Sequence, residues 1–249
     1  MHPILFEIGN LTVYSYGLLL ALGFILIVFL GRRWSPSIGV NPESFFDLTV
    51  IAILGGLLGA YINYIVAYEW TYYSANPMAV FRFWDGGLVF LGGLIGGVLA
   101  AVAFIIRKRL PLWEIADLAA ILIPVGYGMG RIGCFLAGCC VGHTTETVFG
   151  VTFPGLLLPR HPTQLYSVAL ALILFLFALW FRKRRQFSGQ AFLFYLAGYG
   201  VGRFLIELLR DNPEILPNIT IAQFTGILMI VAALILYPIL KKHFPLPNR

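Results

Sequence analysis

GGLVFLGGLIGGVLAAVAFIIRKR, residues 86–109, carries no charge until Arg107, Lys108 and Arg109 close it. A hydrocarbon core about 30 Å thick is crossed by roughly 20 apolar residues in a helix. The stretch is that long, apolar on every side and too long for a strand, so a membrane-spanning helix is its economical reading. Its glycines, like those of GGLLGA at 55–60, fall at spacings that let two helix backbones approach, and packing through small residues accounts for them.

The same pattern recurs on both sides. Further apolar segments lie near 15–31, 46–67, 114–130, 163–181, 189–209 and 220–240. With residues 86–106 they predict about seven transmembrane helices. The 249 residues are 59% hydrophobic and 11% charged, with a mean hydropathy of +0.87. Soluble domains carry about a quarter charged residues, so this composition is that of an all-α integral membrane protein. The opening MHPILFEIGNLTVYSYG has no basic n-region or small-residue cleavage site, and the first span is expected to stay.

Orientation follows from lysine and arginine. Arg32 and Arg33, residues 107–109, RKRR at 182–185, and Lys241 with Lys242 each follow an odd-numbered span. That side is the expected cytoplasm, with the N-terminus outside and the C-terminus, including Arg249, inside. The formal charge of +6 is then mostly a topology signal, and nothing in it calls for nucleic acid. Arg82, Arg131, Arg160, Arg203 and Arg210 remain. Each falls on the outer side or inside a span, where positive charge is disfavoured unless something there needs it.

The sixth span ends YLAGYGVGRFLIELLRDNPE. Tyr199, Arg203, Glu207 and Arg210 follow one another at helical spacing and form one stripe. Glu207 pairs with one arginine and leaves a surplus guanidinium, whose fork suits a phosphate. Arg131 stands at the outer end of the fourth span, in GYGMGRIGCFLAGCC at 126–140. Gly126, Gly128, Gly130 and Gly133 allow close backbone approach and are expected to break the helix, exposing amide donors beside the guanidinium. Residues 132–162 read as a small outer-face head with a short strand at VFGVTFP and RHPTQLY at 160–166. His161 is a base or donor, or equally a helix-start residue.

Cys134, Cys139 and Cys140 are the only cysteines. Their spacing is not one of the usual zinc patterns, so no metal is expected. On an outer face a disulfide from Cys134 to Cys139 or Cys140 is the alternative to simple packing. Asp85 and Asp117 read as helix-start carboxylates, and Tyr16 as an interfacial aromatic.

YSYG near the N-terminus, WDGGLVFLGGLIGG, GRIGCFLAGCCVG, HPTQLY and YGVGRFLIELLR together resemble, in order and spacing, the bacterial prolipoprotein diacylglyceryl transferase family. The resemblance covers nearly the whole chain. It implies a seven-helix enzyme of the bacterial inner membrane with a periplasmic head and site. That family moves the diacylglyceryl group of phosphatidylglycerol to the lipobox cysteine of a preprolipoprotein signal peptide, forming a thioether and releasing glycerol phosphate. The implied partners are those two substrates and membrane lipids, with no cofactor. Arg131, Arg203, Glu207, Tyr199 and His161 are then the expected catalytic residues, and Tyr16, Gly130, Gly133, Gln164 and Arg210 the expected substrate-binding ones. The chain departs from the pattern at Tyr61, Leu91, Cys134, Cys139, His143 and Ser167, where many members have Arg, His, Asn, Glu, Arg and Glu. Rival readings are a lipid-binding homologue without chemistry, a transferase with another acceptor, and a transporter, which would need charge near the midplane.

Overall fold

The computed structural model describes residues 1–9, 11–82, 86–217 and 219–246; Asp85 and Arg249 lie outside them. Strands β1 (Ile4–Ile8) and β2 (Leu11–Tyr14) precede α1 (Ser15–Trp34), α2 (Pro42–Tyr68), the short α3 (Trp70–Ala75), α4 (Phe90–Arg107), α5 (Leu112–Ala137), α6 (Thr163–Phe181) and α7 (Gln190–Glu207). Strands β3 (Glu214–Leu216) and β4 (Ile219–Thr220) then lead into α8 (Ile221–His243). Helices α1, α2, α4, α5, α6 and α8 are long and apolar enough to cross a membrane. Helix α7 has 18 residues, but Gln190, Arg203 and Glu207 make it more polar than these six. The protein is mostly helical, as its composition predicts. The two antiparallel hairpins, β1 with β2 and β3 with β4, are additions the apolar pattern does not reveal.

The chain forms two compact units, Gly31–Leu112 and Met1–Leu30 with Trp113–Arg249. In the first, α2 and α4 pack glycine against glycine. A Cβ on Gly59 would lie 2.4 Å from the Gly92 carbonyl oxygen and 2.8 Å from the Gly96 Cα, so the two backbones touch directly. Non-helical residues 86–89 precede α4, with the Val89 N–H bonded to the Ala60 carbonyl, and the helix begins later than its apolar run. Tyr61 is buried, and its hydroxyl donates to the Val80 carbonyl at 3.1 Å.

In the second unit the expected helix break at Gly126–Gly133 does not occur: α5 runs unbroken to Ala137, with Pro124 inside it. The glycines serve approach instead. A Cβ at Gly126 would lie 2.7 Å from Ile27 of α1, and one at Gly133 would lie 3.0 Å from the Tyr16 Cα. The backbone amides beside Arg131 are therefore within the helix and not free donors, and the irregular connection starts at Gly138, which ends α5 in the left-handed conformation (φ 72°). Gly200 of α7 and Gly226 of α8 meet in the same way: a Cβ on either would lie within 2.8 Å of the other's carbonyl oxygen.

Below this, Asp117 of α5 is buried and accepts from the Gly189 and Phe192 amides at 2.8 and 2.9 Å and from Arg185 at 2.5 Å. Arg185 also pairs with Glu114 at 2.5 Å. Asp117 is a helix-start carboxylate, but for α7, whose first-turn N–H groups it satisfies.

Candidate active site

Helices α5 and α7 each bring a tyrosine and an arginine one turn apart to the same place. Tyr127 and Tyr199 meet edge to face at 5.4 Å, and the Arg131 guanidinium lies over the Tyr127 ring at 5.1 Å from its centre. Tyr195 stacks on Tyr199 from the next turn. The sequence contains the reason: GYGMGR at 126–131 and GYGVGR at 198–203 are near copies. In each, small residues let the helix approach α6, where a Cβ on Gly128 or Gly202 would meet Ala171 or Leu170. Tyr127 is absent from the expected site, and comparison of these two hexapeptides is the signal that finds it.

Arg203 pairs with Glu207 at 2.7 Å, with side-chain exposures of 12% and 0%. Glu207 is held from its other oxygen by Asn212 and Thr220, at 2.6 and 2.9 Å. The carboxylate is thus fixed by three groups and in turn orients Arg203. The second terminal nitrogen of Arg203, the Nε of Arg210 and the hydroxyl of Tyr127 are all buried without a hydrogen-bond partner. No carboxylate among the described residues pairs with Arg131. Buried donors are almost always satisfied, so this collection is arranged for an acceptor that arrives from outside, and its charge selects an anion.

Next to it lie the cysteines. All three are free thiols, so neither of the disulfides the sequence allows is formed, and their sulfurs lie within 4.8 Å of one another. Cys134 is one helical turn beyond Arg131. Left-handed turns at Gly138 and Cys140 (φ 63°) fold Cys139 and Cys140 back over it, and the Cys139 N–H bonds to the Cys134 carbonyl at 3.1 Å. The start of α6 grips this turn. Thr163 donates to the Cys140 carbonyl at 2.9 Å and Gln164, which has no exposed surface, donates to the Cys139 carbonyl at 2.5 Å. Gln164, expected to bind substrate, is placed to hold the cysteine turn. Ser167 bonds back to the Thr163 carbonyl at 2.8 Å. Hydrogen bonds from the thiols of Cys134 and Cys139, with the nearby charges of Arg210 and Arg131, outweigh burial and draw the Cys140 thiol down to about 5. Burial, with the hydrogen bond to Cys140, pushes Cys139 up.

Tyr16 of α1 is partly exposed and within electrostatic reach of Arg131, Cys134 and Cys139. Gly130 faces Leu20, whose Cδ1 would lie 3.9 Å from an added Cβ. Between α5 and α6, the backbone of Arg160 bridges those of Thr144 and Val151, so the expected strand reduces to isolated bridges. The His161 Nδ1 lies 3.1 Å from the Tyr166 hydroxyl, and His143 pairs with Asp211 at 2.6 Å. Leu91 is in the other unit, on α4.

Long apolar helices and a cluster of half-buried arginines with unpartnered donors mark a polytopic membrane protein with a candidate anion site. Such a site suits the phosphate of a lipid or an ester. The chain belongs to the prolipoprotein diacylglyceryl transferase family, whose sequence model matches residues 3–239. It is 36% identical over 245 residues to the phosphatidylglycerol–prolipoprotein diacylglyceryl transferase of Bordetella parapertussis, covering 94% of each chain. It is 34% identical over 247 residues to phosphatidylglycerol–prolipoprotein diacylglyceryl transferase 2 of Clostridium perfringens, covering 97% of this chain and 96% of that one. A relative of the same name from Vibrio vulnificus is 36% identical over 228 residues, 90% of this chain and 82% of its own.

Proposed function

We propose that the protein transfers the diacylglyceryl group of phosphatidylglycerol to the lipobox cysteine thiol of a prolipoprotein, at the periplasmic side of a bacterial inner membrane. Helix α7 is the sixth of seven spans, the N-terminus is outside, the C-terminus inside, and of the expected head at 132–162 the residues beyond α5, 138–162, form it on the periplasmic side. The observation that carries the reading is the set of buried donors without a protein partner, on Tyr127, Arg203 and Arg210, beside Arg131.

In the reaction the thiolate sulfur attacks the glyceryl carbon that bears the phosphate ester. A carbon–sulfur bond forms, the carbon–oxygen bond breaks, and its electron pair leaves with the oxygen of glycerol phosphate. Charge builds on that phosphate, and groups that meet it lower the barrier. Arg131 and Arg203 clamp it, Glu207 fixes Arg203, and Tyr127, Tyr199 and Arg210 complete the donor set. His161 has its Nδ1 engaged by Tyr166 and offers Nε2 to the leaving group.

The test is a mass shift of a lipobox peptide incubated with the protein and phosphatidylglycerol in micelles. A diacylglyceryl adduct is expected, absent with a Cys→Ser peptide. Loss of one charge-assisted interaction, about 1.5–3 kcal/mol, lowers kcat/KM of Arg131→Ala by roughly 10- to 150-fold. Phosphatidylglycerol bound at an Arg131-dependent site without any adduct would instead identify a binding homologue.

A further inference from the structure

We propose that Cys134, Cys139 and Cys140 form a three-thiolate site for a zinc ion, whose open fourth position takes the acceptor thiol. The chemical role rests on the transferase reading above; the metal site itself does not.

Three sulfurs within 4.8 Å of one another are already near a ligand set. Zinc–sulfur bonds of about 2.3 Å put the sulfurs of a tetrahedral site about 3.8 Å apart. A contraction of about 1 Å closes the difference, within the rotamer freedom of the exposed Cys139 and Cys140. The backbone is held for it: Thr163 and Gln164 fix the carbonyls of both outer cysteines, and the Cys139 N–H is tied to Cys134. Only side chains have to move. The donors are all sulfur, which selects zinc or another soft ion over magnesium or calcium. Zinc sites with three protein ligands keep a position for water or substrate.

The proposed reaction needs what such a position supplies. Its nucleophile is a thiol, and a thiol that coordinates zinc is deprotonated outright. The acceptor thiol replaces the bound water and its proton passes to solvent. The sulfur then attacks the glyceryl carbon, the carbon–oxygen bond breaks with its electrons passing to the phosphate oxygen, and the thioether product is a weaker ligand that leaves. Zinc undergoes no redox change. Arg131, one turn before Cys134, and Arg210 lie close enough to influence Cys140, so the nucleophile and the clamped phosphate ester are neighbours.

The experiment is cobalt(II) titration of the full-length protein, reduced and metal-free in detergent, with zinc content after reconstitution as a second readout. One cobalt per chain and an intense thiolate-to-metal absorption are expected. Zinc displaces the band, and Cys139→Ser and Cys140→Ser, both at exposed positions, weaken it at least tenfold in affinity. A lipobox peptide intensifies the band as a further thiolate joins, whereas the Cys→Ser peptide does not. Absence of a thiolate band in the wild-type protein overturns the metal site, whether or not transfer occurs. A band that ignores the peptide, with transfer undiminished after chelation, overturns the activating role. A band that responds to the peptide while no adduct forms keeps the site and refutes the transferase reading instead.

Discussion

Cys140 is a non-glycine residue at φ 63°, a conformation of low intrinsic population, and it carries the most acidic thiol of the turn that follows α5. Its pKa is drawn down to about 5 by hydrogen bonds from Cys134 and Cys139 and by Arg210 and Arg131. Free cysteine titrates near 8.5, so in metal-free protein Cys140 is a thiolate across neutral pH. Its alkylation by iodoacetamide, followed by peptide mass mapping, is expected to stay on a plateau at neutral pH and to fall only as pH drops through about 5. A midpoint near 8.5 would contradict the arrangement. Because the folded pKa is the lower one, the associated stability is fully present above the unfolded value and is lost as pH falls through about 5. Arg131, Arg203 and Glu207 were legible in the sequence because charge inside an apolar run is anomalous. Tyr127 was not, since a tyrosine at the outer end of a span is ordinary. Neither was the role of Gln164, because its partner is a backbone carbonyl that only the turn brings within reach.

Among the elements, the contact of α2 with α4 depends on the absence of side chains. Gly59→Ala would put a Cβ 2.4 Å from the Gly92 carbonyl oxygen, and overpacking of this kind costs about 1–3 kcal/mol. Its thermal midpoint in detergent is expected to fall, whereas Gly17→Ala, with nothing within 4 Å of the new Cβ, should match or exceed the parent. Asp117→Asn removes the charge that faces Arg185 and weakens the cap on α7. Breaking one side of a buried pair costs about 3–5 kcal/mol, and denaturant unfolding is expected to show a loss of that order. The glycine spacings and the approximate helix positions were readable from the apolar pattern, but the unbroken run of α5 to Ala137 and the late start of α4 at Phe90 were not, because glycines that serve helix contact look like helix breakers in sequence. The Asp117 network was not, because its partners lie 68 to 75 residues away in sequence and nothing local marks them.

For the molecule as a whole, the proposed topology rests on where the basic clusters fall, and that pattern needed no coordinates to read. Alkaline phosphatase, which is active only outside the cytoplasm, is expected to be active when fused after Ala75 or Thr147 and inactive after Arg109, Arg184 or Leu246. Activity after Arg109 would invert the assignment. The buried ionic groups of α5 and α7 also set an order of events during biosynthesis. Arg203 and Glu207 lie on a single helix, so that pair is neutral as soon as its own turn is wound. Asp117 has no such local partner. At roughly 5–20 residues per second, several seconds of translation separate its emergence from that of Gly189 and Phe192. Until then the nascent chain must keep Glu114 and Asp117 without the arginine that pairs with both, and a pause or truncation before residue 185 leaves both acids of α5 uncompensated.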